Sequence, residues 1–468
     1  LKFWISRDAM PGKRRRPSSA TPWAGAHTVL PAEIFHRAVG TKAKVAPTVP
    51  TVAEEGQRMR AIAGLRQHLV DACRSGSVAR YPSMAFERWW YSVRDAFGEE
   101  DDPLLPARAR PDDPVLVGDL MQVGFSRNEA NRIAKKLAVA AERAAARRCK
   151  PLPASVAINR LAEGGVELSC PSVGAVVQLP AQTFKKLRTL HDLHSGAAGS
   201  SLFPAAALVM LLRYQSLGGS GFQLALPSAS FEVLVSHFGV CAECFASPLN
   251  CWFGRYCSAF FDCDAAFGSL GSFCDFRPSR GAFEANPPFA PVVLASMREH
   301  IHNLLAAAVE PLSFVVAVAH WDHPEVHALL ASPFMQANTQ VPQEEQCWLD
   351  GAEKRRAPVE LLLLVLQNAA AAADPHFAAT AEKLEVLRQS CTGEAKPLGP
   401  RKTLIKTGAG SQPDLQPQAQ LQAQPQPSES AQGGLRFSRP RRALSRRLSR
   451  LRRYKSQRQA RRTSMRDH

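Results

Sequence analysis

The spacing of apolar residues changes several times along the chain. From Val52 to about Arg148 they recur every three or four positions, which predicts helices. One of these opens on Ser126-Arg127-Asn128-Glu129, a capping box: the Ser126 hydroxyl takes the third backbone N–H, and the Glu129 carboxylate reaches back to the first. Its apolar face carries Ile133, Leu137 and Ala140, with Arg132, Lys135, Lys136, Arg143 and Arg147 around the rest. Between Val156 and Leu179 the pattern shortens to strand-like alternation about a Gly164-Gly165 turn, and Thr183 to His194 is helical again. The longest apolar run, Leu202 to Leu212, ends at Arg213. It predicts a buried helix, because a membrane span needs about 18 to 20 apolar residues.

Beyond the break at Gly218-Gly219-Ser220-Gly221 the pattern alternates between helix and strand. Phe231, Leu234, Val235 and Phe238 share a helical face, and Gly239 stands where a left-handed cap is wanted. Val240 to Phe245 reads as a short buried strand that turns at Ala246-Ser247-Pro248-Leu249-Asn250. Gly281 to Ala285 is a second strand, and it runs into Asn286-Pro287-Pro288-Phe289 and a helix that begins near Pro291. Phe314 to Ala319 has the unbroken apolar character of an interior parallel strand, and Leu361 to Leu366 is the last strand of the chain. Such alternation predicts an α/β fold with a doubly wound sheet, whose ligands lie at the carboxyl ends of the strands.

Charge alters the picture mainly at the ends. The chain has 468 residues and a formal net charge of +17. Residues 436–468 hold 14 Arg or Lys against the single acid Asp467, and residues 1–16 hold six against Asp8, so residues 17–435 are close to neutral. Blocks of like charge repel and bury no core, so both basic tails are expected to be disordered. The C-terminal tail reads as an RNA-binding arm or nuclear address, or else as a solvated polybasic tail. Eleven cysteines without secretory cues are expected to be reduced thiols. Six of them crowd residues 241–274, but Cys241-Ala-Glu-Cys244 lacks a matching second pair, and no metal site is expected.

The sharpest chemical signal is Asn286-Pro287-Pro288-Phe289. It matches the Asn/Asp-Pro-Pro-aromatic signature of methyltransferases that act on exocyclic amines of adenine or cytosine. An adenine N6 amine is a poor nucleophile because its lone pair is delocalised into the ring. The Asn286 side-chain oxygen and the Pro287 carbonyl would each accept one N6 hydrogen and draw the nitrogen toward tetrahedral. Pro287 and Pro288 fix φ, and Phe289 offers a ring on which the base stacks, worth about 1 to 3 kcal/mol per base. S-adenosylmethionine would then be attacked in line, with positioning as the main catalytic contribution.

Four segments extend this signal: Phe238-Gly239-Val240, Glu243 through Cys251, Tyr256-Cys257-Ser258-Ala259-Phe260, and Phe283 through Phe289. Together they resemble the catalytic region of the phosphorylated-CTD-interacting factor family, the cap-specific adenosine N6-methyltransferases. Weaker similarity runs from about Ile158 to Leu387. The resemblance implies a Rossmann-like class I methyltransferase core with an N-terminal mainly helical domain. It implies S-adenosylmethionine as cofactor and the cap-adjacent 2′-O-methyladenosine of mRNA as substrate. Glu243, Phe245, Ala246, Ser247, Pro248 and Asn250 would form the cofactor turn. Asp262 or Asp264 would bind the ribose hydroxyls, with Phe267, Gly268 and Glu284 beside the cofactor, and Asn286 through Phe289 would hold the adenine.

The expected organisation is therefore a disordered basic segment over 1–50, a mainly helical domain with a small strand-rich portion over 51–200, the methyltransferase domain over 201–390, a Gln/Pro-rich linker over 391–435 and an Arg-rich tail over 436–468. Arg132, Lys135, Lys136, Arg143 and Arg147 are candidate RNA contacts, and Trp321 is a candidate for stacking on a base or the cap. The partner is expected to be capped mRNA or another single-stranded RNA, in the nucleus and away from membranes. Animal members of the family begin with a WW domain that reads phosphorylated polymerase tails. Here Trp89-Trp90-Tyr91 is an adjacent cluster without the spacing of such a module, so no WW domain is expected and binding to the transcription machinery is left open. The rival functions are an N6-methyltransferase of another RNA or DNA adenine, or an RNA-binding adaptor without turnover.

Overall fold

The computed structural model describes residues 50–398, apart from 79, 83, 95–101, 148–153, 163, 196, 219–220, 222 and 352. By compactness the chain divides into two units, Leu1–Ala419 and Gln420–His468, and every described residue belongs to the first. Both basic tails and linker residues 399–435 lie outside the described residues.

The chain opens with α1 (Val52–Arg74), α2 (Ala85–Arg94), α3 (Pro114–Gln122) and α4 (Arg127–Ala145). The complete capping box belongs to α1, where Thr51 Oγ1 accepts from the Glu54 N–H at 3.2 Å and Glu54 Oε2 accepts from the Thr51 N–H at 2.7 Å. At α4 only half of the expected box forms. Ser126 Oγ accepts from the Glu129 N–H at 3.3 Å, but the Glu129 carboxylate turns away to take the Ser77 N–H at 2.8 Å, because the residues after α1 approach it there. Trp89 and Trp90 lie on α2 within the helical core, and the Trp90 Nε1–H donates to the Leu104 carbonyl at 2.8 Å.

An antiparallel meander of β1 (Ala157–Arg160), β2 (Gly165–Cys170) and β3 (Ala175–Pro180) follows, then α5 (Ala181–Ser195) and α6 (Phe203–Leu217). Helix α6 packs almost all of its side chains into the same core as α1 to α4. Among the described residues no helix is long and apolar enough to cross a membrane.

The rest of the chain comprises β4 (Leu224–Ala225), α7 (Ser228–Phe238), β5 (Val240–Ala246), β6 (Tyr256–Ser258), α8 (Phe261–Asp264), β7 (Gly281–Ala285), α9 (Pro291–Ala307), β8 (Leu312–Ala319), α10 (Pro324–Leu330), β9 (Met335–Val341), β10 (Trp348–Asp350), β11 (Glu353–Arg356), β12 (Leu361–Gln367), α11 (Ala369–Ala373), α12 (Ala381–Ser390) and β13 (Lys396–Pro397). Its main sheet has six strands in the order β6-β5-β7-β8-β12-β9. Every residue of β8 and β12 is buried. Because strand side chains alternate, Phe314, Val316 and Val318 pack with Leu294, Met297 and Ile301 of α9, whereas Val315 and Ala317 pack with Phe231 and Leu234 of α7 and Leu387 of α12.

The sheet is mixed within the expected α/β class. Strands β6, β5, β7 and β8 are parallel, but β12 runs antiparallel to both β8 and β9. Residues 342–360 return from β9 through the β10–β11 hairpin without a crossover helix, and antiparallel pairing is what such a connection permits. The interior character of β8 was legible, but a buried apolar run does not specify the direction of its neighbour.

Candidate active site

Strand β5 lies between β6 and β7, so the chain leaves it toward one side and later returns to the other. This reversal opens a crevice at the carboxyl ends of the strands. Four parallel strands deliver their following residues to this edge: Ser247–Asn250 after β5, Phe260–Asp264 after β6, Asn286–Phe289 after β7, and His320 with Trp321 after β8.

The turn after β5 is tied internally. Asn250 Oδ1 accepts from the Ser247 N–H at 2.7 Å, and Ser247 Oγ accepts from the Leu249 N–H at 3.1 Å and donates to Gln223 Oε1 at 2.5 Å. Lys186 on α5 braces the turn by donating from Nζ to the carbonyls of Cys251 at 2.7 Å and Leu249 at 3.1 Å. Ser247 and Pro248 are buried, while Phe245, Ala246 and Asn250 are half-buried. Phe245 spends its ring on Phe273, at 5.2 Å.

Glu243 and Glu284 stand opposite one another in register on β5 and β7, both buried. Glu243 Oε2 accepts from the Trp252 and Phe253 N–H groups at 2.8 and 3.0 Å, which fixes the path of the chain beyond the turn. Burial pushes both carboxyls up, and for Glu284 the neighbouring Glu243 charge adds to it. The two N–H donors and Lys186 work against burial at Glu243, so it is the more readily ionised of the two.

After β7, Asn286 is half-buried and its Nδ2 donates to the Leu224 carbonyl at 3.4 Å. Among the described residues neither Asn286 Oδ1 nor the Pro287 carbonyl accepts a protein hydrogen bond, whereas the Pro288 carbonyl takes the Ala290 N–H at 2.7 Å. Two acceptors therefore stand unmatched side by side at the end of the strand. Phe289 is half-buried, with its ring 6.5 Å from that of Trp321 at 70°, an edge-on contact. The Trp321 Nε1–H is buried without a partner.

After β6 the two candidate ribose carboxylates part ways. Asp264 is fully buried, accepts from the Tyr214 hydroxyl at 2.5 Å, and is pushed up to about 7 by burial. The side chain of Asp262 is 27% exposed and paired with Arg213. Phe267 is buried against His191 at 5.6 Å. Gly268 has φ +105°, and a Cβ there would lie 2.3 Å from the Gly254 carbonyl oxygen, so only glycine fits.

A cleft of about 650 Å³, open to solvent, adjoins the β5 turn. Its walls include Lys186, Gln223, Asn250, Trp252 and Leu349. Arg132, Lys135, Lys136 and Arg143 on α4 and Arg147 just beyond its end are all exposed, and none of them lines this cleft. Lys186 and Gln223 were not singled out from the sequence, because an isolated Lys or Gln has no spacing to betray it. Arg213 had a signal, as a lone charge closing the longest apolar run.

A family model described as the phosphorylated CTD interacting factor 1 WW domain matches residues 186–351. A Homo sapiens protein named mRNA (2'-O-methyladenosine-N(6)-)-methyltransferase is 40% identical over 235 residues, 46% of this chain and 32% of its own length. The Mus musculus protein of the same name is 43% identical over 164 residues, 33% of this chain and 23% of its own. This chain thus spans about a third or less of the curated relatives it matches. The family match overturns the expectation that nothing described as a WW domain would be found, although Trp89 and Trp90 fall outside it. The matched residues run from α5 to the turn after β10 and include strands β5 to β8 with the Asn286 motif. Residues 186–351 of this chain are thus similar to the phosphorylated CTD interacting factor 1 family model, and the chain is similar over part of its length to the two methyltransferases so named.

Proposed function

We propose that this protein is an S-adenosylmethionine-dependent N6-methyltransferase of adenosine, and that its substrate is the 2′-O-methyladenosine beside the mRNA cap. The observation that carries this reading is the adjacent pair of unmatched acceptors, Asn286 Oδ1 and the Pro287 carbonyl, at the carboxyl end of β7. An N6 amine has two hydrogens to donate, and two acceptors held by a proline-stiffened turn suit it. The names of the human and mouse relatives support the same chemistry.

The residues present also fit the cofactor. Asp262 offers a partly exposed carboxylate after β6, and the Ser247–Asn250 turn follows β5 at the sheet's reversal. The six-strand order with β12 inserted antiparallel supports a class I, Rossmann-like methyltransferase core. S-adenosylmethionine, when bound, supplies an electrophilic methyl group on a sulfonium that leaves as a neutral thioether. Asn286 and Pro287 hold the N6 hydrogens so that the nitrogen lone pair points out of the purine plane, and Phe289 supports the base with Trp321 braced behind it. With the donor bound, the N6 lone pair so oriented would take the methyl group as the thioether departs, and the surplus N6 proton would leave to water.

The division into a helical domain over 51–200 and a catalytic domain over 201–390 belongs to the same proposal. So do RNA contacts from α4, and nuclear delivery by the Arg-rich tail. Radiolabelled methyl transfer to a short RNA beginning m7G-ppp-Am is expected to exceed greatly that to the same RNA without the cap. Equal rates would point to an internal adenine instead, and no transfer to any adenine would leave an adaptor.

A further inference from the structure

Five charged side chains form one continuous ladder through the helical core to the end of β6. Asp102 Oδ2 accepts from Arg58 Nε at 2.7 Å, and Arg58 Nη1 donates to Glu55 Oε2 at 3.0 Å. Arg213 then grips Glu55 through Nε and Nη2 at 2.7 and 2.8 Å, and Asp262 through Nη1 and Nη2 at 3.0 and 2.9 Å. Its guanidinium carbon also lies 5.0 Å from the centre of the Phe260 ring. The side chains of Glu55 and Arg213 are entirely buried. Burial alone would lower the Arg213 pKa, but the hydrogen-bonded Glu55 carboxylate overrides it, so the guanidinium stays charged.

The two ends of the ladder are not alike. The Asp102 end is satisfied, because its Oδ1 accepts from the Leu104 and Leu105 N–H groups, both at 2.9 Å. The Asp262 end is 27% exposed, and its carboxylate meets Arg213 alone among the described residues. A carboxylate has about four lone-pair sites, and the Arg213 fork occupies two of them. Desolvating so many charges is a poor way to gain stability, since a buried ion pair is often matched by apolar side chains of the same volume. What the ladder supplies is orientation. Three acids against two arginines also leave the chain of charges one unit negative, so that Asp262 remains a good acceptor.

We propose that Glu55 and Arg213 are positioning residues for the methyl donor: they hold Asp262 at the end of β6 so that its free lone pairs receive the ribose hydroxyls of S-adenosylmethionine. This rests on the methyltransferase reading above. It also ties donor binding to α1, an element of the helical part.

Calorimetric titration of the full chain with S-adenosylhomocysteine tests it. Arg213→Lys keeps a charge but cannot fork between two carboxylates, and it is expected to raise the dissociation constant about tenfold or more. Glu55→Gln, which keeps the volume and folds more readily, shifts it in the same direction by a smaller factor. The KM for the donor rises in step, while affinity for RNA stays level. A clip that served stability alone would lower the melting temperature of Glu55→Gln without touching donor affinity in the folded protein, and that result overturns the proposal. Asp262→Asn separates this outcome from failure of the underlying reading. If the unaltered chain binds S-adenosylhomocysteine and Asp262→Asn binds it equally well, the ladder fails and the methyltransferase stands. If the unaltered chain does not bind it, both fall.

Discussion

The ends of β7 and β6 lie at the same edge of one sheet and treat their polar groups in opposite ways. At β7, Asn286 Oδ1 and the Pro287 carbonyl have no protein donor among the described residues. At β6, Asp264 is sealed against Tyr214, and Asp262 is gripped from within by Arg213. A buried polar group without a partner costs about 1–3 kcal/mol, so folded chains generally satisfy such groups. The unmatched acceptors at β7 therefore suit a ligand that brings its own hydrogens. The anchored acids at β6 suit a scaffold that holds one partly exposed carboxylate, Asp262, in place.

The contrast is broken most severely by Arg213→Ala, which takes the partner from Asp262, leaves Glu55 with Arg58, and opens a buried gap. It is expected to destabilise the fold by about 3–5 kcal/mol, read from denaturant unfolding. Asn286→Ala should do the reverse, lowering methyl transfer by about 10²- to 10³-fold with the melting temperature nearly unchanged. A comparable loss of stability in both variants would erase the distinction between the two ends.

Asp264 sharpens the contrast through pH. Its carboxyl is raised from 3.8 to about 7 by burial, so the folded state holds a proton that the unfolded chain releases. The stability this contributes is complete below about pH 4 and is lost as pH rises from about 4 to about 7. Asp264→Asn keeps the acceptor for Tyr214 without a charge. Its melting temperature should gain on that of the unaltered chain between pH 5 and pH 8, and parallel curves would contradict the assignment. The smallest effect is expected far from the sheet. Lys135→Ala with Lys136→Ala should weaken RNA binding modestly and reduce its salt slope by about one per lost phosphate contact, leaving the chemical step intact.

Local elements were readable wherever local physics fixes them. The helix around Phe231 and Phe238 ends at Gly239 with φ +64°, because a left-handed cap needs no Cβ. Proline begins α9 at Pro291, where its missing N–H costs nothing. The Asn286 motif was legible for a similar reason, since all of its parts lie within four residues. Its readiness was not, because whether Oδ1 is free depends on Leu224, 62 positions away. The Glu129 carboxylate was misassigned on the same ground, as Ser77 competes for it from 52 positions away.

The sequence alone determined the strongly periodic helices and the most apolar strands, the strand-to-turn setting of the Asn286 motif, and the concentration of positive charge in the two ends, because propensity, periodicity and composition act over a few residues. Tertiary structure alone decided that β12 runs antiparallel, that Glu243 faces Glu284, and that of two acids two positions apart Asp264 is sealed while Asp262 reaches solvent. The physical reason is the same each time: burial and hydrogen-bond partnership depend on which distant segments pack together, and charge, solvation and reactivity follow from them.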